Sequence, residues 1–173
     1  PVTLLSRADP GAAANTSGGT SALAPVSTIS ADGRYVVFTS TAANLVPGQI
    51  SSTNGSQVFL FDRATGTRTL VSHATGLPAT GVDSLAASPV LSADGRWVAY
   101  LSAAPNLVAG QSDSPNTLDV FLYDRTTGAN ALVSHAQGLA TTAGNASSGP
   151  PGDLAISSDG AYVAYLSAAT DLI

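Results

Sequence analysis

The sequence predicts an all-β chain built from repeated four-stranded antiparallel units. None of its 173 residues is Lys, Glu or Met, which are strong helix formers, while Ser and Thr together supply 40 residues. Only 10% of the residues are charged, and six Arg against eleven Asp give a net charge of −5. Because no basic run is present to neutralise phosphates, nucleic-acid binding is not expected. Without Cys, the chain has neither disulfides nor a thiolate zinc site.

The main evidence for repeated units is an internal repeat of 62 residues. Residues 30–80 align with 92–142 without a gap and share 30 identities in 51 positions. A third copy begins at Ile156, offset by 65 residues from the second. Such self-similarity predicts tandem structural units. These are a strand closing a preceding unit at 2–8, full units at 25–75 and 88–137, and the first two strands of a further unit at 153–173.

Each full unit is predicted to contain four strands. In the second copy these are 88–91, 96–102, 118–124 and 131–136. The segment Ala93-Asp94-Gly95 joins the first two strands as a tight hairpin, because Gly tolerates positive φ and Asp can bond the following backbone. A second short turn with Gly, at 125–128, joins the last two strands.

The second strand of each unit is apolar on both faces. In the second copy, Trp97, Ala99 and Leu101 point to one face and Val98 and Tyr100 to the other. A strand of this kind belongs in a sheet that is covered on both sides. Four-stranded antiparallel sheets stacked face to face are the blades of a β-propeller, so the fold class predicted is two complete blades with partial blades at both ends.

Aromatic residues recur at two equivalent positions of this strand, which predicts packing between blades. The two sets are Tyr35, Trp97 and Tyr162, and Phe38, Tyr100 and Tyr165.

The motif S-x-D-G-R-Y/W-V-A-F/Y, followed by V-F-L-Y-D-R-x-T-G, resembles the TolB-type branch of bacterial β-propellers. This branch is similar to WD repeats but lacks the WD dipeptide, and the resemblance extends over residues 27–172. It implies a propeller fold and leaves the function open, because propellers include enzymes, lectins and binding scaffolds.

The resemblance also implies a calcium site. Relatives carry a D-T-N-G-x-x-D-like segment between strands two and three, in which carboxylates and carbonyls could hold a hard cation. The first copy has Gln49 and Gln57 at the Asp positions, whereas the second keeps Asp113, Asn116 and Asp119. These three residues are the candidate calcium ligands, and a turn stabilised by Asn and Pro is the alternative.

Loop lengths predict which end of the blades binds a partner. The connections between strands two and three and between units are long, whereas the D-G and T-G turns at the opposite end are short. Long loops on a rigid scaffold commonly bind ligands. The alternative is that these loops are only solvated connections between strands. The candidate binding residues are Asn44, Gln49, Asn54, Asn106, Gln111 and Asn116.

Catalysis and a cofactor other than calcium are not expected. The Asp residues of the D-G turns recur in every copy, which favours a turn-forming role. His73 and His135 are repeat-related and are therefore expected to lie apart. Ser72 precedes His73, and neighbouring residues of a strand point to opposite faces, which argues against a nucleophile and base pair.

The sequence therefore predicts a non-catalytic extracellular β-propeller scaffold or binding module. Its partners are expected to be proteins: other copies of the chain, or the remainder of a longer parent from which this portion derives. A glycan-binding propeller and a hydrolase with an unrecognised site are the alternatives. The hydroxyl-rich, thiol-free composition is typical of secreted or periplasmic proteins. No run approaches the ~18 apolar residues of a membrane helix, so membrane insertion is not expected.

Overall fold

The computed structural model describes residues 8, 20–22, 28–50, 55–82, 84–114, 117–149 and 152–173. These residues form ten β-strands and no helix. The strands are β1 Ser21–Ala22, β2 Tyr35–Ser40, β3 Gln57–Asp62, β4 Thr67–Leu70, β5 Ala86–Leu91, β6 Trp97–Ser102, β7 Asp119–Asp124, β8 Ala129–Leu132, β9 Ala155–Ile156 and β10 Val163–Ala164.

The strands form three antiparallel sheets in sequence order. The first sheet contains β1 to β4, the second β5 to β8, and the third β9 and β10. Every pairing joins strands that follow each other in the chain, as in an up-and-down meander. The register repeats as well, since Phe38 pairs with Phe59 in the first sheet and Tyr100 with Phe121 in the second. The predicted strand at 2–8 lies outside the described residues apart from Ala8.

The prediction that the fourth strand spans 131–136 is wrong at both ends. The strand β8 begins at Ala129 and ends at Leu132, because the amides of Val133 and Ser134 both point to the carbonyl of Val120. Beyond them His135 forms an isolated antiparallel bridge with Ala143, in the connection between units. The chain thus leaves the sheet four residues earlier than the apolar pattern indicates.

Apolar clusters on both faces of the second sheet hold the three sheets together. Tyr35 and Val37 of the first sheet pack in one buried cluster with Val98 and Tyr100 of the second. The opposite face of the second sheet contributes a separate cluster to the third sheet, formed by Val90, Ala99, Leu101, Val120 and Leu154 with Ile156, Val163 and Tyr165 against them. The prediction of a strand buried on both faces is confirmed, and the chain is an all-β stack of propeller-type blades.

The hairpin between the first two strands has the same hydrogen bonds in all three units. Ser30, Ser92 and Ser157 each donate a hydroxyl to the Asp two residues later, at 2.5 to 2.6 Å. That Asp accepts the amide two residues further on at 2.9 to 3.0 Å, and the intervening Gly has a φ of +68° to +72°. The turn-forming role predicted for these aspartates is confirmed.

Candidate functional site

The long loops lie together at one end of the sheets, opposite the D-G turns. The loop between β2 and β3 meets the following connection between units where Ile50 donates its amide to Ala79 and accepts that of Gly81, at 2.8 and 2.9 Å. Ser112 makes the same two contacts in the second unit, each at 2.8 Å. These parallel bridges connect each loop to the connection that follows it, so backbone hydrogen bonds hold the loops together at this end.

Gln49 and Gln111 stabilise these loops from within. The Nε2 of Gln111 donates to the carbonyl of Ala104 at 2.7 Å, and its Oε1 accepts the amides of Leu107 and Val108 at 3.1 Å. Gln49 makes the equivalent contacts seven, four and three residues back in its own loop. The structure therefore gives both side chains, predicted as binding residues, a role in loop geometry.

The predicted asparagines differ in what the structure shows of them. Asn44 is half-buried, and Asn106 is exposed with its carbonyl accepting the amide of Thr75 at 2.9 Å. Asn54 and Asn116 lie outside the described residues. The prediction that these asparagines bind a ligand stays a prediction.

Asp113 and Asp119 lie together at the loop end of β7. Asp119 is fully buried, and its Oδ1 accepts the hydroxyl of Ser134 at 2.6 Å. Its Oδ2 is buried and has no hydrogen-bond partner among the described residues. Burial first, and then the neighbouring Asp113, raise the pKa of Asp119 to about 7. Asp113 in turn accepts the hydroxyl of Thr117 at 2.8 Å.

The first unit shows why the Asp119 oxygen has no partner. Gln57 stands at the equivalent position, where its Oε1 accepts the hydroxyl of Ser72 at 2.8 Å and the amide of Val82 at 3.3 Å. Its Nε2 donates to the carbonyl of Val82 at 2.9 Å. The Asp side chain is one methylene shorter than that of Gln and has no amide N–H, so Asp119 keeps the serine contact and loses the backbone contacts.

The donor set at this pair suits a hard cation. Two carboxylates and the hydroxyls of Thr117 and Ser134 offer oxygen ligands of the type that calcium prefers. The third predicted ligand, Asn116, lies outside the described residues. Among the described residues no three His, Asp, Glu or Cys side chains form a metal-binding group.

The two histidines occupy repeat-related positions and differ in their contacts. The Nε2 of His73 lies 3.1 Å from the carbonyl of Gly128 in the next sheet, and its ring packs edge-on against Tyr123. The neighbouring Ser72 hydroxyl contacts Gln57 and the amide of Val58, and does not contact the histidine ring. His73 therefore contributes to the packing between the first and second sheets.

An apolar row lies exposed on the outer face of the third sheet. Tyr162 is 77% exposed and Leu166 is 61% exposed. Their counterparts one unit earlier are Trp97, half-buried, and Leu101, fully buried. Tyr162 was predicted to pack between blades, and that expectation is corrected because no described sheet covers this face. We call Tyr162, Ala164 and Leu166 the outer row.

Comparisons with known proteins add little to this description. No protein-family model matches the sequence, and no curated protein matches it. Among solved structures, the crystal structure of the tricorn protease is similar with a TM-score of 0.45 and 16% identity. The match covers 80% of this chain and 10% of that chain, so the chain spans a small part of that protein's length. At this TM-score the similarity supports no further conclusion. No helix fit to cross a membrane occurs in the part of the chain that the structure describes.

Proposed function

We propose that this chain is a non-catalytic, extracytoplasmic binding scaffold of the TolB-type propeller branch. It associates with protein partners, and its ring of blades is completed by other copies or by the rest of a longer parent. The outer row carries the proposal, because a following sheet covers the equivalent strand positions in the first two units. Tyr35, Val37, Ala99 and Leu101 are buried there, and Trp97 and Thr39 are half-buried. An apolar row of this kind in water favours association.

The mass of the folded chain in solution tests this proposal. We expect sedimentation equilibrium to show species heavier than the 17.1 kDa monomer, or a chain that binds apolar dyes and aggregates when it is kept monomeric. A cooperative, dye-free monomer at every concentration would contradict the proposal.

The glycan-binding alternative has less support from the described residues. A sugar platform needs an exposed aromatic ring at the long-loop end. Tyr162, the strongly exposed ring, follows the D-G turn at the opposite end of the sheet. A glycan array with the intact chain should therefore show no binding, and selective retention of one sugar class would favour the lectin alternative.

We also propose that Asp113, Asn116 and Asp119 bind calcium. The Oδ2 of Asp119 supports this, since a cation would satisfy a buried oxygen that has no hydrogen-bond partner among the described residues. A ligand that binds only the folded state raises the melting temperature. We expect millimolar calcium to raise it in the wild type relative to EDTA and to leave an Asp119→Asn variant unchanged. Equal curves with calcium and EDTA would contradict the proposal.

A further inference from the structure

One contact recurs wherever two sheets stack, and it joins an aromatic ring to a glycine of the next D-G turn. The ring of Tyr35, which is 6% exposed, lies against Gly95 so closely that a Cβ there would overlap it. Trp97 lies against Gly160 in the same way. In both cases the glycine has a positive φ and offers a flat surface of backbone to the ring.

An arginine completes the receptor for Tyr35. Arg125 donates its Nε to the carbonyl of Gly95 at 2.8 Å, and its guanidinium carbon lies 4.2 Å from the centre of the Tyr35 ring. A cation at this distance from a ring face is attractive. Glycine below and arginine beside the ring therefore form a tyrosine receptor.

A backbone hydrogen bond runs alongside each of these contacts. The amide of Ala31 donates to the carbonyl of Ala93 at 2.8 Å, and the amide of Ala93 donates to the carbonyl of Ser158 at 2.9 Å. The amide of Ser158 would be the next donor in this series. Within the described part of the chain it has no acceptor.

The same receptor is present at the other end of the stack. Arg63 donates its Nη1 to the carbonyl of Gly33, whereas Arg125 donates its Nε to that of Gly95. The Arg63 Nη1 lies 3.3 Å from the position of a Cβ on Gly33, so this side chain must shift when a ring docks there. Arg63 is exposed and Gly33 half-exposed, whereas Arg125 is half-buried and Gly95 buried beneath Tyr35. The chain thus presents an exposed tyrosine at Tyr162 and an open tyrosine receptor at Gly33 and Arg63.

We propose that a second copy of this chain docks head to tail, with Tyr162 of one copy on the Gly33 and Arg63 receptor of the next. This inference rests on the proposed function and specifies the surface involved. The Ser158 amide would meet the carbonyl of Ala31, which continues the backbone series. Val36 and Phe38, beside the receptor, are already buried, so the contact is confined to the turn end of the sheet. Such a contact is heterologous, so in a dimer one copy keeps an unoccupied receptor and the other keeps an undocked Tyr162.

Two complementary variants of the full chain test the contact. Tyr162→Ala removes the ring, and Gly33→Asn fills the receptor with a residue that tolerates positive φ. In sedimentation velocity, we expect each variant alone to lose about tenfold or more in association constant relative to the wild type. Mixing them should restore a dimer, since the Gly33→Asn copy still has Tyr162 and the Tyr162→Ala copy still has the receptor.

Leu139→Ala is the matched control, because Leu139 is a similarly exposed apolar residue, at 55%, in a loop between units. It should associate like the wild type. Circular dichroism checks that each variant is folded, and Arg63→Ala serves as a second receptor variant if Gly33→Asn unfolds.

The outcomes separate this inference from the proposed function. Association that persists in Tyr162→Ala, or variants that do not complement each other, would overturn the docking mode and leave the scaffold proposal standing. A wild type that stays a well-folded monomer at every concentration would overturn both.

Discussion

At the residue scale, Asp119 shows how one methylene changes the chemistry of a repeated position. Gln57 has hydrogen-bond partners for both its oxygen and its nitrogen in the first unit, whereas Asp119 leaves a buried oxygen without a partner among the described residues in the second. The sequence alignment locates this difference between the copies. It does not predict the orphaned oxygen, because that depends on the distance between the strand and the backbone of the following connection.

Asp119 should make the stability of the chain fall as pH rises. Its pKa is about 7 in the folded chain and about 3.8 when exposed, so the folded state binds the proton more tightly. Ionising Asp119 therefore lowers the free energy of unfolding. This loss of stability is absent below pH 3.8 and complete above pH 7. We compare the free energies of unfolding of Asp119→Asn and the wild type by urea unfolding in EDTA. The difference between them should shift in favour of Asp119→Asn by about 2 kcal/mol from pH 5 to pH 8.

Leu139→Ala serves as the control for this measurement, since it changes an exposed side chain and removes no ionisable group. Its effect on stability should be the same at both pH values. A flat difference for Asp119→Asn would show that the carboxylate is ionised and well solvated in the folded chain.

At the element scale, the loop between strands two and three is a built structure and its shape depends on one side chain. Gln111 closes the loop through three backbone contacts, and Gln49 does the same one unit earlier. Sequence reasoning assigned both residues to binding because they lie in long polar loops. The repeated V-x-G-Q ending, in register in both copies, is the signal that could have indicated a structural role.

Replacing Gln111 with Ala should loosen this loop without unfolding the sheet. The change leaves the amides of Leu107 and Val108 without their acceptor, and buried unpaired groups cost about 1 to 3 kcal/mol in stability. Hydrogen exchange should speed up at Leu107 and Val108, while amides within β6 and β7 keep their protection. Unchanged exchange at both amides would mean that the glutamine does not hold the loop.

At the scale of the whole molecule, the repeat predicted more of the structure than the composition did. Strand order, the two-sided burial of β6 and the D-G turns all follow from residues that recur every 62 positions. The contact of Arg125 with the ring of Tyr35 could not be predicted in this way. It joins residues of different units, and their approach depends on how the sheets are offset when they stack.

The central claim is that the sheets stack face to face through aromatic rings seated on glycines, and a pair of glycine variants tests it most directly. Gly95 and Gly128 both have a φ near +71°, but only Gly95 lies under a ring, whereas a Cβ at Gly128 meets nothing within 4 Å. Ala at either position costs about 1 to 2 kcal/mol for the backbone conformation. Overlap with Tyr35 should add about 1 to 3 kcal/mol at Gly95.

Urea unfolding of Gly95→Ala and Gly128→Ala, measured side by side, gives this difference in one experiment. We predict that Gly95→Ala is the less stable variant by the added cost of displacing the Tyr35 ring. Equal stability of the two variants would contradict the stacking of the first sheet on the second.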